Sequence, residues 1–330
     1  MERQLSTGGY STLMRKVLVT GCSGFIGMHL CERLIKLGEN VLGIDNMNDY
    51  YDTSLKDARL KRLLKNDNFS FLKIDLCQTE PLKSAFNEYA PSIAVNLAAQ
   101  PGVRYSLTHP EIYIESNIMG FMNVLECCRL FDIKKLVYAS SSSVYGDSAN
   151  IPFSESDKVD KPVSIYAASK KANELMAYAY SNLYGLSTIG LRFFTVYGPW
   201  GRPDMSYFIF CEKINNGEPI SVFNNGENQR DFTYIDDIVD GTISAIYSDS
   251  ACEIFNLGNN SYENVMDMIH LIEDYLGKKA IIVFADKQPG DVKKTFADIN
   301  YSAHKLNYNP KTQISEGIPK FIEWYKSYKI

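Results

Sequence analysis

The stretch SIYAASKKANELMAYAY sets Tyr166 and Lys170 four residues apart at the start of a helical pattern. That spacing puts a phenol and an ammonium on one helix face. A free tyrosine titrates near ~10 and is a poor base at neutral pH, but an adjacent ammonium and an oxidised nicotinamide ring would favour the phenolate. The phenolate could then take a hydroxyl proton as hydride leaves the same carbon. Upstream, LVYASSSSVYGD places Ser140, Ser141, Ser142 and Ser143 at the end of an apolar run. A hydroxyl there could hydrogen-bond the reacting oxygen in either oxidation state. Alone, a Tyr and a Lys four apart is a chance pairing, so its weight depends on what surrounds it.

The segment VTGCSGFIG supplies that context, with Gly21, Gly24 and Gly27 directly after a first strand and opening a helix. Glycines in this pattern permit a tight turn, close backbone approach to a pyrophosphate and close helix packing, and the helix N-terminus attracts the phosphate charge. The second strand ends in Asp45, where an acid accepts hydrogen bonds from an adenosine ribose and repels a 2′-phosphate, favouring NAD over NADP. Asp75 ends the next strand in KIDL, either touching adenine or serving as an ordinary strand-end carboxylate.

These residues require strands and helices in alternation. KVLVTG (16–21), NVLGID (40–45), FSFLKID (69–75), IAVNLAA (93–99), KKLVYASS (134–141) and LSTIGLRFF (186–194) are continuous apolar runs separated by helical-period segments, among them about 111–131 and 165–184. Such strands are covered on both faces, which predicts an α/β fold with a doubly wound parallel sheet of the Rossmann type. From about 195, Pro, Gly and Asn punctuate shorter segments, with one clear amphipathic helix at 264–277. The expected organisation is a loose extension over 1–14, with Met14 as a candidate original start, a nucleotide-binding domain over 15–195, and a smaller substrate lobe over 196–330 with some chain exchange.

Composition narrows the class. The 330 residues are 45% hydrophobic and 22% charged, with a net charge of −5 and no long single-sign run, so neither disorder nor a nucleic-acid or anionic-membrane footprint is expected. Seven cysteines, an odd number without a CxxC pair, read as reduced thiols of a cytoplasmic protein. No segment suits a signal peptide or a membrane span, and the four scattered histidines lack metal-ligand spacing, so no metal is expected.

NDYYDTSLKDARLKRL, AAQPGVRYS, YASSSSVYG, YAASKKANELMAYAYS, LRFFTVYGPWGRPDM, RDFTYIDDI and QPGDV together resemble the extended short-chain dehydrogenase/reductase superfamily over essentially residues 15 to 330. Within its nucleotide-sugar branch they are most similar to the UDP-glucuronate 4-epimerase family. The resemblance implies tightly held NAD contacted by Gly21, Gly24, Phe25, Ile26, Gly27, Asp45, Asn46, Asp75, Leu76, Leu97, Ala98, Ala99, Tyr166 and Lys170. It also implies a UDP-sugar substrate and a homodimer built on the helices near 111–131 and 165–184. Tyr166 would be the acid/base at the sugar C4 and Lys170 would lower its pKa.

The superfamily's serine/threonine catalytic segment matches Ser141, Ser142 and Ser143. Relatives that dehydrate nucleotide sugars carry Asp and Glu at the second and third positions, and uronate decarboxylases carry Glu at the third. An alkyl hydroxyl has no accessible negative charge near neutral pH and cannot replace them. Oxidation at C4, turning of the ketone and reduction from its other face remain, with Ser141 bridging the C4 oxygen and Ser143 or Ser142 assisting. Thr195 stands where UDP-galactose 4-epimerases usually carry Asn, and the resemblance gives Thr195 and Arg202 the substrate carboxylate, which a guanidinium fork suits. Holding that group matters because oxidising C4 of a uronate makes a β-keto acid, which loses CO2 when the carboxylate bond aligns with the ketone.

For the rest of the substrate, the resemblance assigns Val222 and Phe223 to the nucleotide sugar, Arg230 to the diphosphate and Asp291 to the uridine ribose. Gln288 replaces an Arg common in the wider superfamily and leaves the second phosphate partner open. Arg104 is a candidate for it, or for the substrate carboxylate, or for a loop cap. Asn117 would orient backbone near the site. The rivals are a 4-epimerase of UDP-glucose or UDP-N-acetylglucosamine and a non-catalytic NAD-binding sensor.

Overall fold

The computed structural model describes residues 14–147, 150–286 and 294–329. Gln288, Asp291 and all of the N-terminal extension except Met14 lie outside them.

In chain order the first elements are β1 (Lys16–Thr20), α1 (Phe25–Lys36), β2 (Asn40–Asp45), α2 (Thr53–Leu63), β3 (Phe69–Lys73), α3 (Thr79–Tyr89) and β4 (Ile93–Asn96). One helical run follows, made of α4 (Pro110–Tyr113), a π-helical segment (Ile114–Met119) and α5 (Gly120–Leu130). Then come β5 (Lys135–Ser141), α6 (Ile165–Tyr184), β6 (Ser187–Phe193), β7 (Thr195–Tyr197), α7 (Ser206–Asn216) and β8 (Pro219–Phe223). The remainder comprises β9 (Gln229–Arg230), β10 (Phe232–Tyr234), α8 (Ile235–Tyr247), β11 (Cys252–Leu257), β12 (Glu263–Asn264), α9 (Val265–Leu276), β13 (Ile281–Ala285), β14 (Lys294–Thr295), α10 (Asn300–Leu306) and α11 (Ile314–Lys329).

Seven strands form one sheet in the order β11-β6-β5-β4-β1-β2-β3, every pairing parallel. Because side chains alternate across a strand, its apolar runs feed two cores. Val17, Val19, Val95 and Val137 pack with α1, α2 and α8, while Leu18, Leu42, Ala94 and Leu136 pack with α3, α5 and α6. The strand order reverses between β1 and β4, which opens a crevice at their carboxyl ends, where such sheets bind ligands.

Beyond residue 195 the chain does more than build a lobe. Parallel pairs β8–β13 and β7–β10 and the three-stranded β12-β9-β14 do form there. However, α8 and β11 return to the main fold, β11 as its edge strand, and Phe208, Ile220, Met268 and Phe321 join the same core as Val17 and Val19. Helices α7, α8, α10 and α11 also exceed the single helix that the local pattern signals. The reason is packing: Gly241, a poor helix former, lies inside α8 because a Cβ there would meet Tyr308 and Leu257 at 2.8–2.9 Å.

Among the described residues no helix is long and apolar enough to cross a membrane.

Candidate active site

The cleft at the switch point begins with the glycine loop. Gly21 has φ +73, and a Cβ on it would lie 2.7 Å from the Ala98 amide nitrogen. A Cβ on Gly27 would sit 2.0 Å from the Gly21 carbonyl oxygen. Gly24 precedes α1 without any side-chain cap, so the first-turn amides of that helix stay available to an anion. Asp45 is held rigidly, accepting hydrogen bonds from the Ser23 amide at 3.2 Å and the Met47 amide at 2.8 Å. Asp75 accepts from Asn46 Nδ2 and the Cys77 amide, both at 2.8 Å. Burial of Asp75 opposes its ionisation, but those donors outweigh it and hold the carboxyl below its ordinary value. Every residue expected to contact the cofactor lines this cleft, so the donor set and the side-chain-free cradle fit a dinucleotide.

The cleft continues to Ser141, Tyr166 and Lys170. Ser141 Oγ accepts from the Ser143 amide at 3.2 Å and from Ser143 Oγ at 2.9 Å. Those two bonds fill its lone pairs, so its own proton points elsewhere, and Tyr166 is the hydrogen-bond partner on its other side. Ser140 instead donates to Glu174 at 2.7 Å, beneath the strand end. Glu174 in turn takes a two-pronged grip from Arg192, at 2.8 and 2.9 Å, and this buried pair joins α6 to β6 behind the catalytic residues. Ser142 and Ser143 are both half-buried outside the cleft lining, but Ser143 bonds Ser141 through its amide and its hydroxyl, which makes it the better candidate for the assisting serine.

Lys170 lines the same cleft as Tyr166. Its ammonium donates to the Ala139 carbonyl at 2.9 Å, and burial pushes its pKa down to about 8. Burial also raises Tyr166, and the groups that pull it back are Ser141 and the positive charge of Arg202. Arg202 thus adds its positive charge to that of Lys170 in favouring the phenolate, while the Lys170 ammonium is anchored on the backbone of β5.

The long helix is interrupted by the π segment that carries Asn117. Asn117 Oδ1 accepts from the Gln100 amide at 2.7 Å and its Nδ2 donates to the Gln100 carbonyl at 3.1 Å, pinning the loop after β4. Asn173 of α6 donates to the Asn117 carbonyl at 2.7 Å, giving that carbonyl a partner outside its own helix.

On the substrate side, Arg202 lines the cleft and is bound by Asp204. Thr195 opens β7 between the cleft-lining Phe194 and Val196, its amide donating to the Asp231 carbonyl at 3.0 Å. Arg104 lies outside the cleft lining, with its guanidinium 4.6 Å from the centre of the Phe223 ring, so the two residues stack on each other. Val222 is 1% exposed in the core, and its side chain is unavailable to a ligand because alternation on β8 turns it inward. Arg230 is half-buried on β9, donating to the Gln229 carbonyl at 2.9 Å.

A profile of the NAD dependent epimerase/dehydratase family matches residues 17–258. The chain belongs to this family. Among similar members of known sequence, the UDP-glucuronate 4-epimerase of Thermodesulfobacterium geofontis is 46% identical over 310 residues, covering 94% of this chain and 95% of that one. Protein CapI of Staphylococcus aureus is 49% identical, covering 95% and 99% respectively. A crystal structure of the Bacillus cereus UDP-glucuronic acid 4-epimerase, in complex with UDP-glucuronic acid and NAD, superposes with a TM-score of 0.90 at 33% identity, covering 95% of this chain and 99% of that one.

This epimerase/dehydratase chain also brings to the cleft residues that motif reading missed, notably Tyr50, Tyr51 and Lys56. Tyr50 and Tyr51 precede α2 and Lys56 lies in its first turns, in a helix whose polar sequence hides its apolar spacing. The signal that could have found it is Leu55, Arg59 and Leu63 at intervals of four, all buried. Arg59 is fully buried and uses its donors on the Trp200, Gly201 and Ser23 carbonyls and the Tyr51 hydroxyl, tying α2 to the glycine loop and to the loop that carries Arg202.

Proposed function

We propose that the protein is a UDP-glucuronate 4-epimerase, interconverting UDP-glucuronate and UDP-galacturonate through a 4-keto intermediate with retained NAD. The observation that carries this reading is the distribution of charge along the cleft. Among the described residues lining it, the carboxylates are Asp45 and Asp75, both at the adenosine end, while the reacting end holds Ser141, Tyr166, Lys170 and Arg202. A site so equipped can move one proton at an alcohol oxygen but has no second acid or base for removing water or assisting loss of CO2.

Bound NAD supplies the hydride acceptor and donor. Tyr166 takes the C4 hydroxyl proton and later returns it. Ser141 donates to the C4 oxygen in alcohol and ketone alike, with Ser143 fixing its orientation. Lys170 stays charged below pH about 8 and keeps the nearby field positive. Arg202 and Thr195 hold the C5 carboxylate away from alignment with the ketone.

The deciding experiment incubates purified protein with UDP-glucuronate, without added NAD, and identifies the product by NMR. UDP-galacturonate is expected. Faster interconversion of UDP-glucose and UDP-galactose would replace this reading with the neutral-sugar one, a UDP-pentose would mean decarboxylation, and no turnover would favour a sensor. The working unit we infer is a homodimer, supported by exposed Leu175, Tyr178 and Leu183 on α6 beside Ile114 and Met119 on the neighbouring helix.

A further inference from the structure

Arg202 does not present an unoccupied guanidinium to the cleft. Its Nε–H bonds Asp204 Oδ1 at 3.0 Å and an Nη2–H bonds Asp204 Oδ2 at 2.5 Å. Asp204 thus grips the planar group along its side edge. A guanidinium has five N–H donors in a fixed plane, and two are used here. The end edge, formed by Nη1 and the second Nη2–H, makes no hydrogen bond to any described residue, and it has the geometry to take a second carboxylate in the same two-pronged way. The same guanidinium is close enough to Tyr166 that its charge favours the phenolate.

Asp204 is itself held. The Tyr50 hydroxyl donates to Asp204 Oδ2 at 3.2 Å, and both Tyr50 and Arg202 line the cleft. Tyr50 can reach that position because residue 102 is glycine: a Cβ there would stand 2.7 Å from the Tyr50 hydroxyl oxygen. Three separate loops, after β2, β4 and β7, therefore converge on the orientation of one guanidinium plane. Asp204 stays ionised to do so, because Arg202 and the Tyr50 hydroxyl outweigh its partial burial and hold its carboxyl below the ordinary range.

We propose that Asp204, supported by Tyr50, is a positioning residue that aims the end edge of Arg202 at the carboxylate of a uronate and so sets both the preference for uronates and the survival of the 4-keto intermediate. The inference rests on the epimerase reading above. Without a fixed guanidinium the carboxylate of the keto-uronate can rotate into alignment with the C4 ketone. The C5–C6 bond then breaks, CO2 leaves, and the bonding pair becomes the C4–C5 enolate. A proton from water arrives at C5 and hydride returns to C4, which gives a UDP-pentose with the cofactor restored.

The test compares wild type with Asp204→Asn and Tyr50→Phe. Asparagine offers one oxygen to Nε but turns an N–H2 toward Nη2, so half of the grip is lost. For Asp204→Asn the expectation is a KM for UDP-glucuronate raised roughly tenfold or more, a smaller fall in kcat, and UDP-pentose among the products by NMR. NAD content on purification should stay at the wild-type level. Tyr50→Phe leaves the ion pair intact and should shift product partition in the same direction by less. Should Asp204→Asn fail to fold, Tyr50→Phe decides, and a pentose fraction equal to wild type overturns the proposal. A wild-type KM and no pentose in Asp204→Asn overturns it, as does tighter uronate binding, which would make Asp204 a competitor of the substrate. If the wild-type protein itself does not convert UDP-glucuronate, the epimerase reading falls first and this inference with it.

Discussion

At the residue scale, bond counting assigns the serines their parts: Ser140 belongs to Glu174, Ser143 fills the lone pairs of Ser141, and Ser141 keeps a proton for the reacting oxygen. Removing the Tyr166 hydroxyl in Tyr166→Phe should lower kcat by roughly 10²–10⁴-fold while purified protein still carries NAD, checked by initial rates and by the absorbance of released nucleotide. Lys170 gives a pH prediction. Its pKa is lowered to about 8 by burial, so the folded state disfavours the ammonium. Below pH 8 the group is charged in both states and the fold bears the full cost. Between 8 and the ordinary value of 10.5 the folded form has released a proton that the unfolded chain still binds, so the cost fades as pH rises. Lys170→Met should therefore lose activity yet unfold about 1–3 kcal/mol less readily at pH 7, the gain shrinking above pH 8 in denaturant titrations. The spacing of Tyr166 and Lys170 was legible because a helix fixes it covalently. The Arg202–Asp204 grip was not, since two residues separated by one proline can face together or apart, and only Tyr50 and Gly102, far away in sequence, decide which.

At the element scale, the parallel strands and the glycine loop were readable because continuous apolar runs and a GxxGxxG at a strand end admit few alternatives. The helices after residue 195 were not, because their cores are completed by distant partners such as Tyr308 against Gly241. For the same reason the polar sequence of α2 gives no local sign that Arg59 within it is buried. Arg59→Lys should cost about 3 kcal/mol or more, measured by chemical denaturation, because an ammonium cannot reach the Trp200, Gly201 and Ser23 carbonyls together and leaves buried acceptors unpaired. Gly27→Ala should yield protein without nucleotide, if it folds, since the added carbon would sit 2.0 Å from the Gly21 carbonyl. The ratio of absorbance at 260 to 280 nm reads that directly.

At the scale of the whole molecule, the exposed apolar stripe on α6 is the feature that one chain leaves unsatisfied. Leu175 and Tyr178 are 59% and 65% exposed, so Leu175→Glu with Tyr178→Glu should give a monomer by light scattering at micromolar concentration. The wild type should run as a dimer. The boundary expected near residue 195 separates parts of the sequence but not of the core, because residues from β1 to α11 pack as one apolar cluster. That continuity removes the usual means of opening and closing a two-part enzyme: a hinge would have to tear the cluster it turns on. The two faces of a 4-keto sugar must nevertheless be offered in succession to one fixed cofactor ring. With one core behind both walls, the half-turn would fall to the sugar, swinging on its diphosphate tether.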